Sequence, residues 1–219
     1  HMPLILDDLS LKIRPGQYVA IVGKTGHTAK NDLGDGSVGA IIENCVNFAT
    51  VHNTDSKGVG GIVGASWNGG VIRNCVNFGK IYSSYGCPTG GIAGSNENAL
   101  VNSYNMGEVS NTSGKNSYAM AIGTNNGGGT DVRNCYWLTG SAPGGGYYGS
   151  VNDKTQIVEI TDNYNETTLT AAQFMQNEKF VTLLNGKDSR VFKQATTTDA
   201  IYTHLNAAGY AGAPVPRIF

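Results

Sequence analysis

The sequence predicts an all-β fold, a right-handed β-solenoid of about four rungs with a β-hairpin at its N-terminus and a small helical cap at its C-terminus. Three observations predict it. A unit of about 30 residues recurs along the middle of the chain. Within each unit, short runs of alternating apolar and polar residues lie between glycines, asparagines and serines. Glycine accounts for 31 of the 219 residues and charged residues for only 14%, a composition that favours stacked strands with tight corners.

The charge and the cysteine spacing exclude several classes of partner. The formal net charge is -1, so no electrostatic field draws the chain to nucleic acid or to an anionic membrane. No apolar run approaches the ~20 residues that a membrane-spanning helix needs, so membrane insertion is not expected. The four cysteines form no C-x-x-C pair, which argues against a zinc site.

Residues 1–30 are predicted to form a β-hairpin that stands outside the repeat. The runs LILDDLSLKI and YVAIVG have the composition of strands, and RPGQ between them is typical of a turn. We expect this hairpin to supply the first strands of the stack or to cover its N-terminal end.

Residues 31–140 contain the repeats. A first motif recurs at spacings of 30, 28 and 32 residues, as NCVNFA from Asn44, NCVNFG from Asn74, NSYNMG from Asn102 and NCYWLTG from Asn134. A second motif follows each of the first three copies, as GGIVGASWNGG, GGIAGSNENA and AMAIGTNNGGG. A unit of this length without a helical pattern cannot bury its apolar face alone, so the copies are expected to stack.

The expected core is the set of apolar side chains that recurs in each unit. Stacking would bury them in one continuous core, represented in the second copy by Ile62, Val63, Ile72, Val76 and Ile81. A β-sandwich and a β-propeller are the alternatives, although a propeller blade usually takes ~40–50 residues.

Residues 141–219 are predicted to be a loop followed by a helical cap. Thr170 and Gln173 form a capping box, and Asn177 is placed to cap a second helix, so two short helices or a kinked one are expected. The apolar face of this segment consists of Phe174, Phe180, Leu183 and Leu184. A further short helix is predicted in TTDAIYTHLNAAG, where Ile201 and Leu205 are four residues apart and Gly209 follows. The helices are expected to close the open end of the stack, because an exposed terminal strand invites pairing with another chain.

Asparagines and cysteines recur at fixed repeat positions. Stacked amides are expected to hydrogen-bond along the stack, with glycan binding as the alternative, at Asn44, Asn74, Asn102 and Asn134 and at Asn47, Asn77 and Asn105. Cys45, Cys75 and Cys135 share another position, which Ser103 takes in the third copy. Because rungs are about 4.8 Å apart, Cys45 and Cys75 lie near disulfide range, but the pattern favours a column of small buried thiols. Cys87 is predicted to be free.

The N-terminal segment resembles the start of an ABC-transporter ATPase domain, on residues 3–26, PLILDDLSLKIRPGQYVAIVGKTG. The phosphate loop of that family, G-x-x-x-x-G-K-[ST], would begin at Gly23. This chain has Thr28, Ala29 and Lys30 where the loop requires a second Gly, the phosphate-binding Lys and the magnesium-binding Ser or Thr. An ATP-binding fragment is therefore kept only as an alternative to a plain hairpin.

Residues 34–185, and less clearly the remainder to 219, resemble the GLUG-repeat proteins of bacterial surfaces. The resemblance rests on GVGGIVGASWNGGVIRNCVNFGKI, TGGIAGSNENALVNSYNMGEV and TAAQFMQNEKFVTLLN. It implies a secreted or cell-surface, adhesin-like module without catalytic residues. The two resemblances together imply a chimeric chain, natural or engineered, joined near residues 26–31.

No catalytic, cofactor-binding or metal-binding residue is predicted, and no cofactor is expected. His27, His52 and His204 are isolated. No close pair of carboxylates stands at a repeated position among Asp35, Glu43, Glu97, Glu108 and Asp131. The segment DNYNE at 162–166 has oxygens that suit calcium, but it is interpreted as a polar loop.

The sequence as a whole predicts a non-catalytic structural or adhesive module. Its expected partner is a host or matrix protein or a glycan, with edge-to-edge self-association as a further expectation. A carbohydrate-binding or carbohydrate-active solenoid is a second alternative, because aromatic side chains suit sugar stacking: Trp67, Tyr82, Tyr85, Tyr104, Tyr136, Trp137, Tyr147 and Tyr148.

Overall fold

In the computed structural model, the described residues form mainly short β-strands, and the described α-helices lie near the C-terminus. The structure describes residues 41–54, 58–66, 70–97, 99–114, 119–124, 131–146, 156–186 and 190–219. The prediction of a mainly β chain is confirmed over these ranges. The predicted hairpin of residues 1–30 lies outside them.

Within the described ranges, each of the first three repeats contributes five strands. The first contributes β1 (Ile41–Glu43), β2 (Val46–Asn47), β3 (Val51–Asn53), β4 (Val59–Gly60) and β5 (Val63–Ser66). The second contributes β6 (Val71–Arg73), β7 (Val76–Asn77), β8 (Ile81–Ser83), β9 (Thr89–Gly90) and β10 (Ala93–Asn96). The third contributes β11 (Ala99–Val101), β12 (Tyr104–Asn105), β13 (Val109–Asn111), β14 (Ala119–Met120) and β15 (Gly123–Thr124). The chain then adds β16 (Val132–Arg133), β17 (Cys135–Leu138) and β18 (Ile157–Ile160).

Equivalent strands of successive repeats pair in parallel. We number the resulting sheets in chain order: sheet I is β1-β6-β11-β16, sheet II is β2-β7-β12-β17-β18, sheet III is β3-β8-β13, sheet IV is β4-β9-β14 and sheet V is β5-β10-β15. In sheet II, Val46 pairs with Val76, Val76 with Tyr104, and Tyr104 with Tyr136. The pairing thus follows the sequence spacing, although β18 extends sheet II beyond the last sequence repeat.

The apolar side chains of the described residues form three clusters, so the prediction of one continuous core is wrong. Ile72 and Val63 belong to a cluster inside the stack, and Ile81 belongs to a small cluster beside it. Val76 belongs to a third cluster, which sheet II shares with the C-terminal region. The reason is the alternation of side chains along a strand: Val76 and Phe78 face the C-terminal region, and Asn77 between them faces the interior.

The C-terminal region contains α1 (Ala171–Phe174), α2 (Glu178–Asn185) and α3 (Tyr202–Ala207). The predicted capping box is confirmed, since the Thr170 hydroxyl accepts from the Gln173 backbone and the Gln173 side chain accepts from the Thr170 backbone. The cap by Asn177 is confirmed as well, because its side chain accepts from the backbone N–H of Lys179 at 3.0 Å. Strands β19 (Phe192–Gln194) and β20 (Pro214–Pro216) form an antiparallel pair that the sequence did not predict. Strand β19 lies between α2 and α3, and β20 follows α3.

The helices lie against sheet II, whereas the prediction placed them at the open end of the stack. They cover the outer face of sheet II along its length, where they pack on Val76, Tyr104 and Tyr136 from successive repeats. The Tyr104 hydroxyl donates to the carbonyl of Pro214, and the Tyr210 hydroxyl donates to that of Met106 at 3.2 Å. The alternating pattern leaves a row of apolar side chains on this outer face, and such a row must be covered to be stable in water.

Candidate functional site

Two columns of asparagines run along the stack, as the sequence predicts. We call them the corner column, which consists of Asn44, Asn74, Asn102 and Asn134, and the inner column, which consists of Asn47, Asn77 and Asn105. The residues of each column occupy equivalent positions in successive repeats. Their hydrogen bonds show what the repeated asparagines do.

The corner column turns the backbone and links the repeats to the C-terminal region. Its four asparagines have φ between 52° and 57°, a left-handed conformation that asparagine tolerates better than most residues. The Nδ2 of each of the last three donates to the Oδ1 of the asparagine before it: Asn74 to Asn44 at 3.2 Å, Asn102 to Asn74 at 2.9 Å, and Asn134 to Asn102 at 2.6 Å. Asn134 also donates to the carbonyl of Leu184 at 2.9 Å, in the last turn of α2, where helix carbonyls lack intrahelical partners.

The inner column closes turns from inside the stack. The fully buried Asn77 accepts at Oδ1 from Asn47 at 2.7 Å and from the backbone N–H of Gly79 at 3.2 Å. Its Nδ2 donates to the Gly79 carbonyl at 2.9 Å and to Asn105 Oδ1 at 2.7 Å. Asn105 in turn donates to the Ser141 hydroxyl at 3.3 Å, where the column ends. The amide of Asn77 thus hydrogen-bonds to the asparagines of both neighbouring repeats and to the backbone of its own turn. This use of the amides supports the structural interpretation over glycan binding.

The glycines of the second motif make room for the inner column. A Cβ built on Gly61 would lie 2.5 Å from Asn77 Oδ1, whereas real Cβ atoms essentially never come within 3.0 Å of another heavy atom. A Cβ on Gly91 would collide with the side chain of Asn105 and with the carbonyl of Ala121. The glycines of the Gly-Gly-Ile motif therefore pack directly against the inner-column asparagines of the Asn-x-x-Asn motif.

The cysteine column lies within the cluster inside the stack. All four cysteines of the chain are unbonded, which confirms the prediction of a column of thiols. Cys75 and Cys135 are fully buried and Cys45 is half-buried, while the Ser103 hydroxyl between them accepts from the backbone N–H of Cys75 at 3.0 Å. Burial raises the pKa of Cys135 to about 12. Contact with the Cys75 thiol lowers the pKa of Cys45 to about 7, against the opposing effect of burial.

Three of the candidate carboxylates form ion pairs with basic side chains, and Glu97 is exposed. The ion pairs are partly exposed and join Glu43 to Arg73 at 2.5 Å, Glu108 to Lys80 at 2.9 Å, and Asp131 to Arg133 at 3.2 Å. Such pairs contribute about 0–1 kcal/mol each and lack the arrangement of an acid–base dyad. Asp35 lies outside the described residues.

The DNYNE segment has a structural role in the described structure. Asp162 Oδ1 accepts from the backbone N–H of Ala171 at 2.8 Å and so satisfies the first turn of α1. Asn163, Asn165 and Glu166 have positive φ angles, which build the turn before the helix. Within the described ranges, no group of three or more His, Cys, Asp or Glu side chains is placed to hold a metal ion.

The aromatic residues divide into packed and exposed sets. Tyr104, Tyr136 and Trp137 are buried, so they do not form a sugar-stacking surface. Tyr82 stacks on His52 with ring centroids 4.1 Å apart, on the outer face of sheet III, and Tyr85 is 48% exposed. The remaining aromatic candidates, Trp67, Tyr147 and Tyr148, fall outside the described residues, as does His27.

Comparison with known families supports the repeat and gives its type. Residues 55–82 match the GLUG motif. The matched segment runs through β4, β5, β6 and β7 into β8, so one GLUG motif joins the Gly-Gly-Ile turn of one repeat to the Asn-x-x-Asn turn of the next. No curated protein and no solved structure matches the chain. The resemblance of residues 3–26 to an ATPase domain therefore has no support from these comparisons.

In the described part of the chain, no helix has the length and apolar character needed to cross a bilayer.

Proposed function

We propose that this chain is a non-catalytic structural and adhesive module, a right-handed β-solenoid at a bacterial surface or in its secretions. The observation that carries the proposal is the register, in which equivalent residues 28 to 32 positions apart pair in parallel from the first repeat to the strands after the third. A chain that repeats the same turn and the same strand builds a rigid rod of stacked coils. Crossovers between parallel strands are right-handed in nearly all proteins, which gives the proposed hand. The GLUG motif at residues 55–82 supports the repeat character.

The use of polar groups in the stack supports a role without catalysis. Asn77 and Asn105 are fully buried, and their amides are committed to the inner column. The surface carboxylates Glu43 and Glu108 are paired with cations. Perturbed ionisable groups in a cleft are typical of active sites, whereas these two carboxylates are neutralised in exposed ion pairs.

The proposed partner is a host or matrix protein or a glycan that binds the outer face of sheet III. The C-terminal region covers the outer face of sheet II, whereas sheet III presents the stacked rings of His52 and Tyr82 next to Ser110. Lys80 lies 5.7 Å from the Tyr82 ring centroid and also pairs with Glu108, so charge flanks the rings. A flat surface with an aromatic body and polar edges suits contact with sugars or protein loops.

An array of glycans and matrix proteins, probed with the full chain, tests the adhesive role. The double variant His52→Ala/Tyr82→Ala removes the ring pair, and Arg73→Ala on sheet I is the matched surface control. We expect the wild type and the control to bind the same ligands and the double variant to lose at least about tenfold in affinity. If the wild type binds none of the arrayed glycans or matrix proteins, the adhesive part of the proposal fails.

The ATP-binding alternative rests on residues 3–26 alone. A thermal-shift measurement with magnesium and ATP separates it from the proposed function. We expect the unfolding midpoint to stay unchanged, because Ala29 stands where the phosphate-binding lysine is required. A concentration-dependent rise would favour nucleotide binding.

Self-association through strand edges is also proposed. Strand β18 lies at the edge of sheet II and pairs with β17 on one side, and edge strands offer unpaired backbone groups to another chain. Analytical ultracentrifugation should show a mass that rises with concentration. A constant monomer mass across the accessible range would exclude it.

A further inference from the structure

Cys45 and Cys75 occupy equivalent positions in the first two repeats. Both thiols are unbonded and belong to the cluster inside the stack. We propose that they form a reversible disulfide that ties the first two repeats together when a small-molecule disulfide oxidises them.

The backbone places the two cysteines within bonding range. Val46 pairs in register with Val76, and the backbone N–H of Val76 donates to the Cys45 carbonyl at 2.9 Å. The two cysteines directly precede these residues, so they face each other across one strand spacing. Neighbouring strands lie about 4.8 Å apart, within the ~4.4–6.8 Å between Cα atoms that disulfides span.

The environments of the two thiols differ, and the difference assigns their roles. Cys45 is half-buried, and its hydrogen bond with the Cys75 thiol lowers its pKa, so Cys45 ionises more readily than Cys75. Burial and Glu43 oppose this shift, and Glu43 is itself paired with Arg73. Cys75 is fully buried, and its contact with Cys45 together with burial raises its pKa. Cys45 is therefore the attacking thiol and Cys75 the resolving one.

The reaction is a pair of thiol–disulfide exchanges. The Cys45 thiolate attacks one sulfur of the small disulfide RSSR, forms a mixed disulfide and releases RS⁻. The Cys75 sulfur then attacks the Cys45 sulfur, its proton passes to the departing second RS⁻, and the Cys45–Cys75 bond forms. Two electrons leave the cysteine pair and reduce RSSR to two thiols, and an excess of reduced thiol reverses the sequence.

The same column provides matched controls. Ser103 occupies the next position of the column, which shows that serine fits there. The neighbour of Cys135 in the column is Ser103, so Cys135 has no thiol one repeat below it. Cys87 is buried and unbonded, as predicted, and lies 3.2 Å from the Ser83 hydroxyl. Cys135→Ser and Cys87→Ser are thus expected to leave the reaction unchanged.

The test is oxidation of the full chain with oxidised glutathione at neutral pH, followed by non-reducing peptide mapping. We expect two of the four thiols to disappear and one linked peptide pair, Cys45 with Cys75, to form. Cys45→Ser should abolish the reaction, and Cys75→Ser should stop it at a glutathione adduct on Cys45. A lasting adduct on wild-type Cys45, a dimer linked through Cys45, or an unreactive Cys45 would each overturn the proposal. The wild-type map decides the outcome even if a variant fails to fold.

Discussion

Replacing Asn77 with alanine tests the inner column where it is most buried. The side chain is 0% exposed and makes four hydrogen bonds, to Asn47, to Asn105 and to both backbone groups of Gly79. Alanine removes all four and leaves buried amide groups without partners. Because the neighbouring repeats and the closely packed Gly61 surround this position, solvent is poorly placed to replace the lost bonds.

The expected loss in the free energy of unfolding is about 4 kcal/mol. It follows from four hydrogen bonds at about 1 kcal/mol each, the usual net contribution of a buried hydrogen bond. That loss is a large fraction of the ~5–15 kcal/mol typical of domains. With a urea dependence of about 2 kcal/mol per M, the unfolding midpoint would fall by about 2 M.

Urea unfolding followed by far-ultraviolet circular dichroism measures this loss. Asn47→Ala is the matched control, because Asn47 holds the same position in the first repeat but is half-buried, and solvent can replace part of its bonding. We expect the control to lose about 1–2 kcal/mol. Equal losses for the two variants, or a loss below about 1 kcal/mol for Asn77→Ala, would refute the role of the inner column.

Further predictions concern the glycine contact, the C-terminal packing and the cysteine column. Gly91→Ala should lower the free energy of unfolding by about 3 kcal/mol in the same urea assay, since its Cβ would collide with the backbone carbonyl of Ala121. Tyr104→Phe should lose about 1–2 kcal/mol, because the Pro214 carbonyl loses its buried donor. Burial raises the pKa of Tyr104 well above its ordinary value, so wild-type stability should fall as the pH rises above about 10, more steeply than that of Tyr104→Phe. Cys45 should be alkylated by iodoacetamide with a rate midpoint near pH 7, as its lowered pKa requires.

Each of these predictions has a control or an outcome that would contradict it. Gly114 has φ of +82°, and a Cβ added there would meet no heavy atom within 4 Å, so Gly114→Ala should lose only about 1 kcal/mol from backbone strain. A loss as large as that of Gly91→Ala would contradict the packing argument. Parallel pH profiles for Tyr104→Phe and the wild type would contradict the burial of this hydroxyl. Cys135, whose pKa is raised to about 12, should stay unmodified while Cys45 reacts.

The repeat, the strand composition and the helix caps could be predicted from the sequence because each depends on local chemistry. The spacing of Asn44, Asn74 and Asn102 gives the strand register, since stacked coils place equal positions opposite each other. Thr170 and Asn177 indicated the helix starts, because a capping side chain acts within three residues of its own position.

The face that each side chain occupies could not be predicted in the same way. In Val76-Asn77-Phe78 the apolar residues point out to the C-terminal helices and the asparagine points in. A strand in which apolar and polar residues alternate has the same pattern whichever of its faces is inside. An asparagine side chain is stable on the inside only because the neighbouring repeats hydrogen-bond its amide group. The place of the helices along sheet II follows from this choice, and so the sequence did not predict their packing on this face. Strand β20 was missed because prolines stand at both of its ends, as Pro214 and Pro216.

The stacking of equivalent repeats is tested most directly by nuclear Overhauser effects between side-chain amides of the inner column. The structure predicts cross-peaks from the Asn77 side-chain amide to those of both Asn47 and Asn105, because N···O distances of 2.7 Å join them. Selective ¹⁵N labelling of asparagine, with Asn77→Ala to assign the signals, makes the measurement specific. Cross-peaks from Asn77 to only one of these residues, or to asparagines at a different repeat position, would contradict the in-register stack.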